Sequence, residues 1–352
     1  MEVRRYGRNY LDCDQHHATR ELASAAPVPD APGMSAVSPL GSRWPVMQAS
    51  IGRVGDARLA LAVSQAGGLG SLGASYMALD QLDAQVAALN RGTDQPFVVN
   101  LILAFDQRQR LEVVLARGAP WVSFSWGLDA ALIQRAHAGG AQVLVQVASV
   151  AEAGHAVEAG ADALIVQGVE AGGHVQSVTP LLELLPAVRA GVSVPLVAAG
   201  GICSIPPATA ARAAGADVIS MGTRFAASRE SLAHPRYLQR LLRATGEDTV
   251  LTDLFDIGWA APHRVIRNTV FDDWVRAGRP PIGQRPGEGD VVATSPGGEL
   301  PRYAMHPPVI GVNGDVEALP LYAGTDVAAI TEVPAAAEIV AEFAHAIAPL
   351  RG

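Results

Sequence analysis

Three times between residues 162 and 225 a short apolar run rich in β-branched side chains stops at glycine. The runs are residues 163–166, 195–198 and 217–221; the glycines are Gly172 and Gly173, Gly200 and Gly201, and Gly222. Runs this short, mostly apolar and bounded by glycine, predict strands buried on both faces. A leucine-rich stretch over 179–190 and an alanine-rich one over 205–214 lie between them and predict helices. That succession implies parallel strands with helices outside. The carboxyl ends of the strands then face the ligand, and the glycines fall there. Glycine lets backbone amides approach a ligand closely, and bare amides suit phosphate. The stretch therefore predicts a phosphate-bearing cofactor held by backbone, with one ionisable side chain, His174, beside it.

The same unit recurs upstream. Strands are predicted over 44–48, 68–72, 97–101, 121–125 and 142–146. Helices are predicted over Ala57–Gln65, with Asp56 placed to cap it, and over 79–89, 107–116, Ala130–Ala138 and 151–159. Eight strand–helix units in residues 44–225 predict a (β/α)8 TIM barrel. A helix over 236–244 reads as the barrel's last. The text from 247 to 319 is irregular, which predicts a lid or side lobe over the barrel mouth, spanning 247–331. A closing helix follows within 332–352. The barrel is bounded as 41–246. Residues 1–40 are polar and proline-rich without periodicity and read as a disordered leader, with Met34 as an alternative start.

Charge and cysteine content narrow the function classes. A net charge of −8 argues against nucleic acid or an anionic membrane as partner. The apolar segment 190–211 is interrupted by Pro195, Pro206 and Pro207 and reads as strand, turn and helix start, not a membrane span. Cys13 and Cys203 make no disulfide framework and have no metal-ligand spacing, so a cytoplasmic protein without a metal site is expected. His16 and His17 lack flanking ligands. Gly68, Gly70 and Gly73 match the dinucleotide string GxGxxG, but a helix precedes them, whereas a dinucleotide site needs strand, glycines, then helix. They read as a closely packed barrel strand.

The chemistry-bearing residues gather at predicted strand ends. Gly200, Gly201, Gly222 and Thr223 end strands seven and eight, whose loops often form a barrel phosphate site. Arg224 can add charge there or pair elsewhere. His174, after Gly172 and Gly173, titrates near neutral pH in its free form and suits proton abstraction. Asn100, Gln146 and Gln167 end strands three, five and six; their amides can meet a heteroaromatic ring edge or hydrogen-bond between strands. Gln48 ends strand one in the same way. His137 and His155 fall on outer helices. His234, His263 and His306 lie in the late region, where a substrate role is conceivable.

In order, PVMQAS, AVSQAGGLGSLGA, FVVNL, VSFSWG, VQGVEAGGHV, VPLVAAGGI, GADVISMGTRF, DTVLTDLF and LYAGTDV resemble the nitronate monooxygenase family, from about Trp44 onward. The resemblance implies an FMN-dependent (β/α)8 barrel. It places the phosphate at Gly200, Gly201, Met221, Gly222 and Thr223. It places the flavin ring against the Ala49 backbone, Asn100, Gln146, Gln167 and Gly173, and makes Gly172 a further cofactor-binding residue. It makes His174 the catalytic residue, acting on a nitronate or nitroalkane with O2 to release a carbonyl compound and nitrite. The chain departs from the family in Ser50-Ile51, where Pro-Met is common, and in Gln176, where Gly is common. A sister group of flavin enoyl-thioester reductases shares the barrel and the AGGH element, and some similar proteins reduce quinones with NAD(P)H. A flavin-binding protein without turnover is the non-enzymatic alternative.

Overall fold

The computed structural model describes residues 38–347; His16, His17, Cys13 and Met34 lie outside them. Its main sheet is built from β1 (Val46–Gln48), β2 (Gly70–Gly73), β3 (Phe97–Ile102), β4 (Trp121–Ser125), β5 (Gln142–Val147), β6 (Ala163–Gln167), β8 (Leu196–Ala199) and β9 (Val218–Met221), with a short strand β7 (Gly173–His174) leaving the barrel after β6. All eight barrel strands are parallel, in the order β1-β9-β8-β6-β5-β4-β3-β2. A bridge between Met47 and Leu69 closes the ring. The chain is therefore a TIM barrel, as expected.

Alternation along the strands sorts side chains into two layers. Met47, Leu69, Val98, Trp121, Leu144, Ile165, Val197 and Val218 fill the interior. Their neighbours, such as Val99, Val122, Val145, Leu164 and Ala198, pack outward on the helices. Leu40 plugs the amino-terminal end and accepts a hydrogen bond from the Trp121 indole at 3.2 Å, so Leu40, expected to lie in the leader, belongs to the barrel. The outer helices are α1 (Ala57–Gln65), α2 (Leu79–Gly92), α3 (Arg108–Ala116), α4 (Ala130–Ala138), α5 (Val150–Glu158), α6 (Leu181–Gly191) and α7 (Ile205–Ala213). Asp56, Asp129 and Ser149 cap α1, α4 and α5 through side-chain oxygens on the first free amides. Gly70 sits against α1 so closely that a Cβ would stand 1.9 Å from the Ala60 carbonyl oxygen. That is the packing role expected of the GxGxxG string.

After β9 and the short α8 (Thr223–Ala226), two expectations are corrected. The helix α9 (Pro235–Leu241) is not the barrel's last: it packs with Leu321 and Ala323 outside the ring. The last place, between α7 and α1, belongs to α11 (Ala336–Ile347), through buried Ile339, Val340, Phe343 and Ala344. The chain between α8 and α11 is also far from irregular. It holds β10 (Thr249–Thr252), β11 (His263–Ile266), α10 (Thr269–Arg276), β12 (Val291–Ser295), β13 (Gly298–Pro301), β14 (Asn313–Gly314) and β15 (Leu321–Tyr322). Strands β10, β11 and β15 form an antiparallel sheet, and β7 joins it through β11, setting His174 opposite His263. Strands this short, punctuated by Gly and Pro, carry too little alternation to be read locally. Among the described residues no helix is long and apolar enough to cross a membrane.

Candidate active site

The glycines and His174 meet at the carboxyl end of the barrel. Gly200 and Gly201 have φ of +111° and +63°, and a Cβ on Gly201 would stand 2.7 Å from that of Glu170. Only glycine fits this close turn. Met221 is buried at the end of β9, and the Ala49 amide donates to its carbonyl at 3.0 Å, so Ala49 and Gly222 lie side by side. A strap, residues 323–326, ties these loops together. The Gly324 amide donates to the Thr223 hydroxyl at 3.0 Å. Asp326 accepts from the Cys203 amide at 2.8 Å and the Ser204 hydroxyl at 2.9 Å. A Cβ on Gly172 would stand 2.5 Å from the backbone of Ala323 and Gly324. Arg224 turns away: it is buried, with Glu342 of α11 at 3.5 Å.

The amides predicted at strand ends do not share one role. Asn100 donates to the Ser123 hydroxyl at 2.9 Å, across to β4. Gln146 donates to the Gln176 side-chain carbonyl at 2.7 Å. Gln167 brackets the His174 loop, donating to the His174 carbonyl at 3.1 Å and accepting from the Gln176 amide at 2.9 Å. Gln48 accepts from the Ser71 amide at 2.9 Å, and the Ser50 hydroxyl is hydrogen-bonded to that of Ser71. Gly173, at φ +76°, has nothing within 4 Å of where a Cβ would stand, so its backbone borders open space.

His174 is half-buried, yet its Nε2 is fully buried without a hydrogen-bond partner among the described residues. Trp259 stacks on its ring at 4.2 Å and 22°. Trp126, His263 and Tyr322 surround it at 6.3, 5.4 and 5.6 Å. Burial first, and His263 second, push the imidazole down to about 3. The near-neutral titration expected from the free side chain is therefore not the folded one: in this apolar box the charged form lacks solvation. His263 is satisfied as a neutral ring, with Nδ1 at 2.8 Å from the Ala261 carbonyl and Nε2 accepting from the Phe255 amide at 3.3 Å. His234 caps α9 through Nδ1, His137 pairs with Asp162 on the surface, and His306 Nδ1 lies 2.7 Å from the Pro307 carbonyl.

Sequence reasoning did not single out Trp126, Trp259, Tyr322 or the strap as site residues. It noticed Gln176 only as a departure. The signals were faint: VSFSWG puts Trp126 one residue past β4, and LYAGTDV is the strap itself.

A family model described as nitronate monooxygenase matches residues 35–108 and 103–345. The (3aS,4S,5R,7aS)-5-hydroxy-7a-methyl-1-oxo-octahydro-1H-indene-4-carboxyl-CoA dehydrogenase of Mycobacterium tuberculosis is 37% identical over 237 residues, 66% of each chain. The chain thus spans about two thirds of that relative's length. Among solved structures, FabK from Thermotoga maritima superposes with a TM-score of 0.72 at 31% identity, covering 88% of this chain and 94% of that one. The nitroalkane oxidase from Streptomyces ansochromogenes does so with a TM-score of 0.70 at 30% identity, covering 89% and 96%.

Proposed function

Because this chain belongs to the nitronate monooxygenase family of flavin-dependent oxidoreductases, we propose that its barrel mouth binds FMN and oxidises alkyl nitronates with O2 to a carbonyl compound and nitrite. The residues present fit that group. The turn at Gly200 and Gly201, with Gly222 and Thr223 beside it, offers backbone to a single phosphate. The GxGxxG string at Gly68, Gly70 and Gly73 follows α1 and lies in and beside β2, so it is not the strand–glycine–helix unit that takes an adenosine half. Gly173 leaves room for a ring beside His174. Bound FMN would supply an electron acceptor whose reduced form reacts with oxygen. The lid reading fits the same picture: β11 and Trp259 stand over His174, whose Nε2 is shielded from water.

The observation that carries the proposal is the unpartnered, buried Nε2 of His174. A neutral imidazole there accepts a proton from the carbon α to a nitro group, or donates to a nitronate oxygen if Nε2 carries the hydrogen. Gln167 holds the ring's backbone in place for either task. A ring pushed down to about 3 is a weak base, and general-base efficiency falls with basicity. The chain is therefore suited to preformed nitronates over neutral nitroalkanes. Oxygen uptake and nitrite release with a nitronate, with no reductant added, test this; released cofactor of FMN mass tests the flavin. NAD(P)H oxidation that depends on an added enoyl-thioester or quinone, with no oxygen uptake on nitronate, would instead support the second reading, a reductase. That reading is favoured by the likeness to FabK and to a CoA dehydrogenase.

A further inference from the structure

Aromatic residues are only 5% of this chain, yet the mouth collects them in one continuous wall. Tyr76, Phe105 and Trp126 each follow the carboxyl end of a successive strand, β2, β3 and β4. Trp259 comes from the chain between β10 and β11. The rings meet edge to face: Tyr76 with Phe105 at 5.6 Å, Phe105 with Trp259 at 5.6 Å, and Trp126 with Trp259 at 4.8 Å. Trp259 stacks on His174, so the wall runs outward from the reacting side chain. All four rings are half-buried. A packing cluster would be buried whole, as Phe124 and Phe225 are in the core.

One wall residue is held in a conformation its own backbone disfavours. Trp126 has φ +58°, which L side chains rarely adopt. Gln176 holds it there, accepting from the Trp126 amide at 3.2 Å while also accepting from Gln146. A strained residue clamped by a hydrogen-bonded side chain beside the site is a device for fixing a ring's position.

We infer that this mouth selects substrates with a planar or polycyclic apolar body, aligned against the Tyr76–Phe105–Trp259–Trp126 wall so that their reactive carbon reaches His174. Ring faces and edges reward flat apolar surface far more than a two- or three-carbon chain. The inference rests on the reading of the mouth as the nitronate site and names the substrate class for it.

The test uses binding, so that it stands apart from turnover. Propionate, benzoate and 2-naphthoate share the planar two-oxygen anion of a nitronate but lack its oxidisable carbon. Each is titrated calorimetrically into flavin-loaded protein. Affinity should rise by about tenfold or more from propionate to 2-naphthoate. Phe105→Leu and Trp259→Leu, where they retain flavin, should compress that series to within about threefold. A flat series in the wild type overturns the inference, as does a full preference kept by a flavin-retaining variant. The wild-type series decides by itself if neither variant folds. Ring preference without nitronate oxidation would sink only the proposed reaction; nitronate oxidation with a flat series would sink only the substrate class.

Discussion

Replacing His174 by asparagine should change how stability responds to acid. The free imidazole value of 6.5 is pushed down to about 3 in the folded chain. Between those values the unfolded chain binds a proton that the folded chain refuses. Stability is therefore lost as pH falls below about 6.5, and the loss continues to about pH 3. At pH about 5 the unfolded chain sits about 1.5 below its own imidazole value, worth on the order of 2 kcal/mol. That figure is an upper bound, because His174 is half-buried and the solvent it meets screens the charge. Asparagine does not titrate. The stability of wild type minus His174→Asn should thus shrink by up to about 2 kcal/mol between pH about 7.5 and about 5. Carboxylates held down by arginines, such as Asp273 beside Arg302 and Arg276, also lose stability toward acid, but equally in both proteins. Urea unfolding of the two proteins at several pH values measures the difference. If it does not change with pH, His174 is not held neutral by burial. If it grows toward acid, a carboxylate partner is stabilising the imidazolium.

Three further outcomes follow from the same geometry. Gln167→Leu removes both hydrogen bonds to the His174 loop and should cost about 1–3 kcal/mol; turnover should drop by about tenfold or more while flavin content holds, and unchanged turnover in flavin-replete protein would contradict a positioning role. Gly172→Ala drives a Cβ into the strap backbone and should cost about 1–3 kcal/mol, whereas Gly173→Ala meets open space and bears only its φ strain, about 1–2 kcal/mol; the melting temperature without FMN should therefore fall at least as far at 172, while the rise on adding FMN should shrink more at 173, where the Cβ enters the space left for the ring. Arg285 is buried between Asp256 at 2.9 Å and Glu288 at 2.6 Å, over the Tyr303 ring at 4.2 Å; Arg285→Met leaves both carboxylates unpaired and should cost about 3 kcal/mol, read by denaturant unfolding.

The barrel was legible because each of its units is written locally. A run such as 163–166 is apolar on both faces, glycine follows it, and then a leucine-rich helix; no distant residue is needed to decide any of these. Asp56 ahead of α1 is likewise a local cue, and its side chain accepts the amides of Arg58 and Leu59. The glycines marking the mouth, and His174 among them, were visible for the same reason. The place of α11 between α7 and α1 was not, since an apolar helix stripe does not name its partner. Nor was the pairing of β7 with β11, which brings Trp259 and His263 onto His174: its register is set by residues far apart in the chain, and two-residue strands have no pattern of their own. The acidity of His174 belongs to the same class. Its side chain is identical in any sequence, and only the low-polarity surroundings assembled from three distant segments decide which protonation state it keeps.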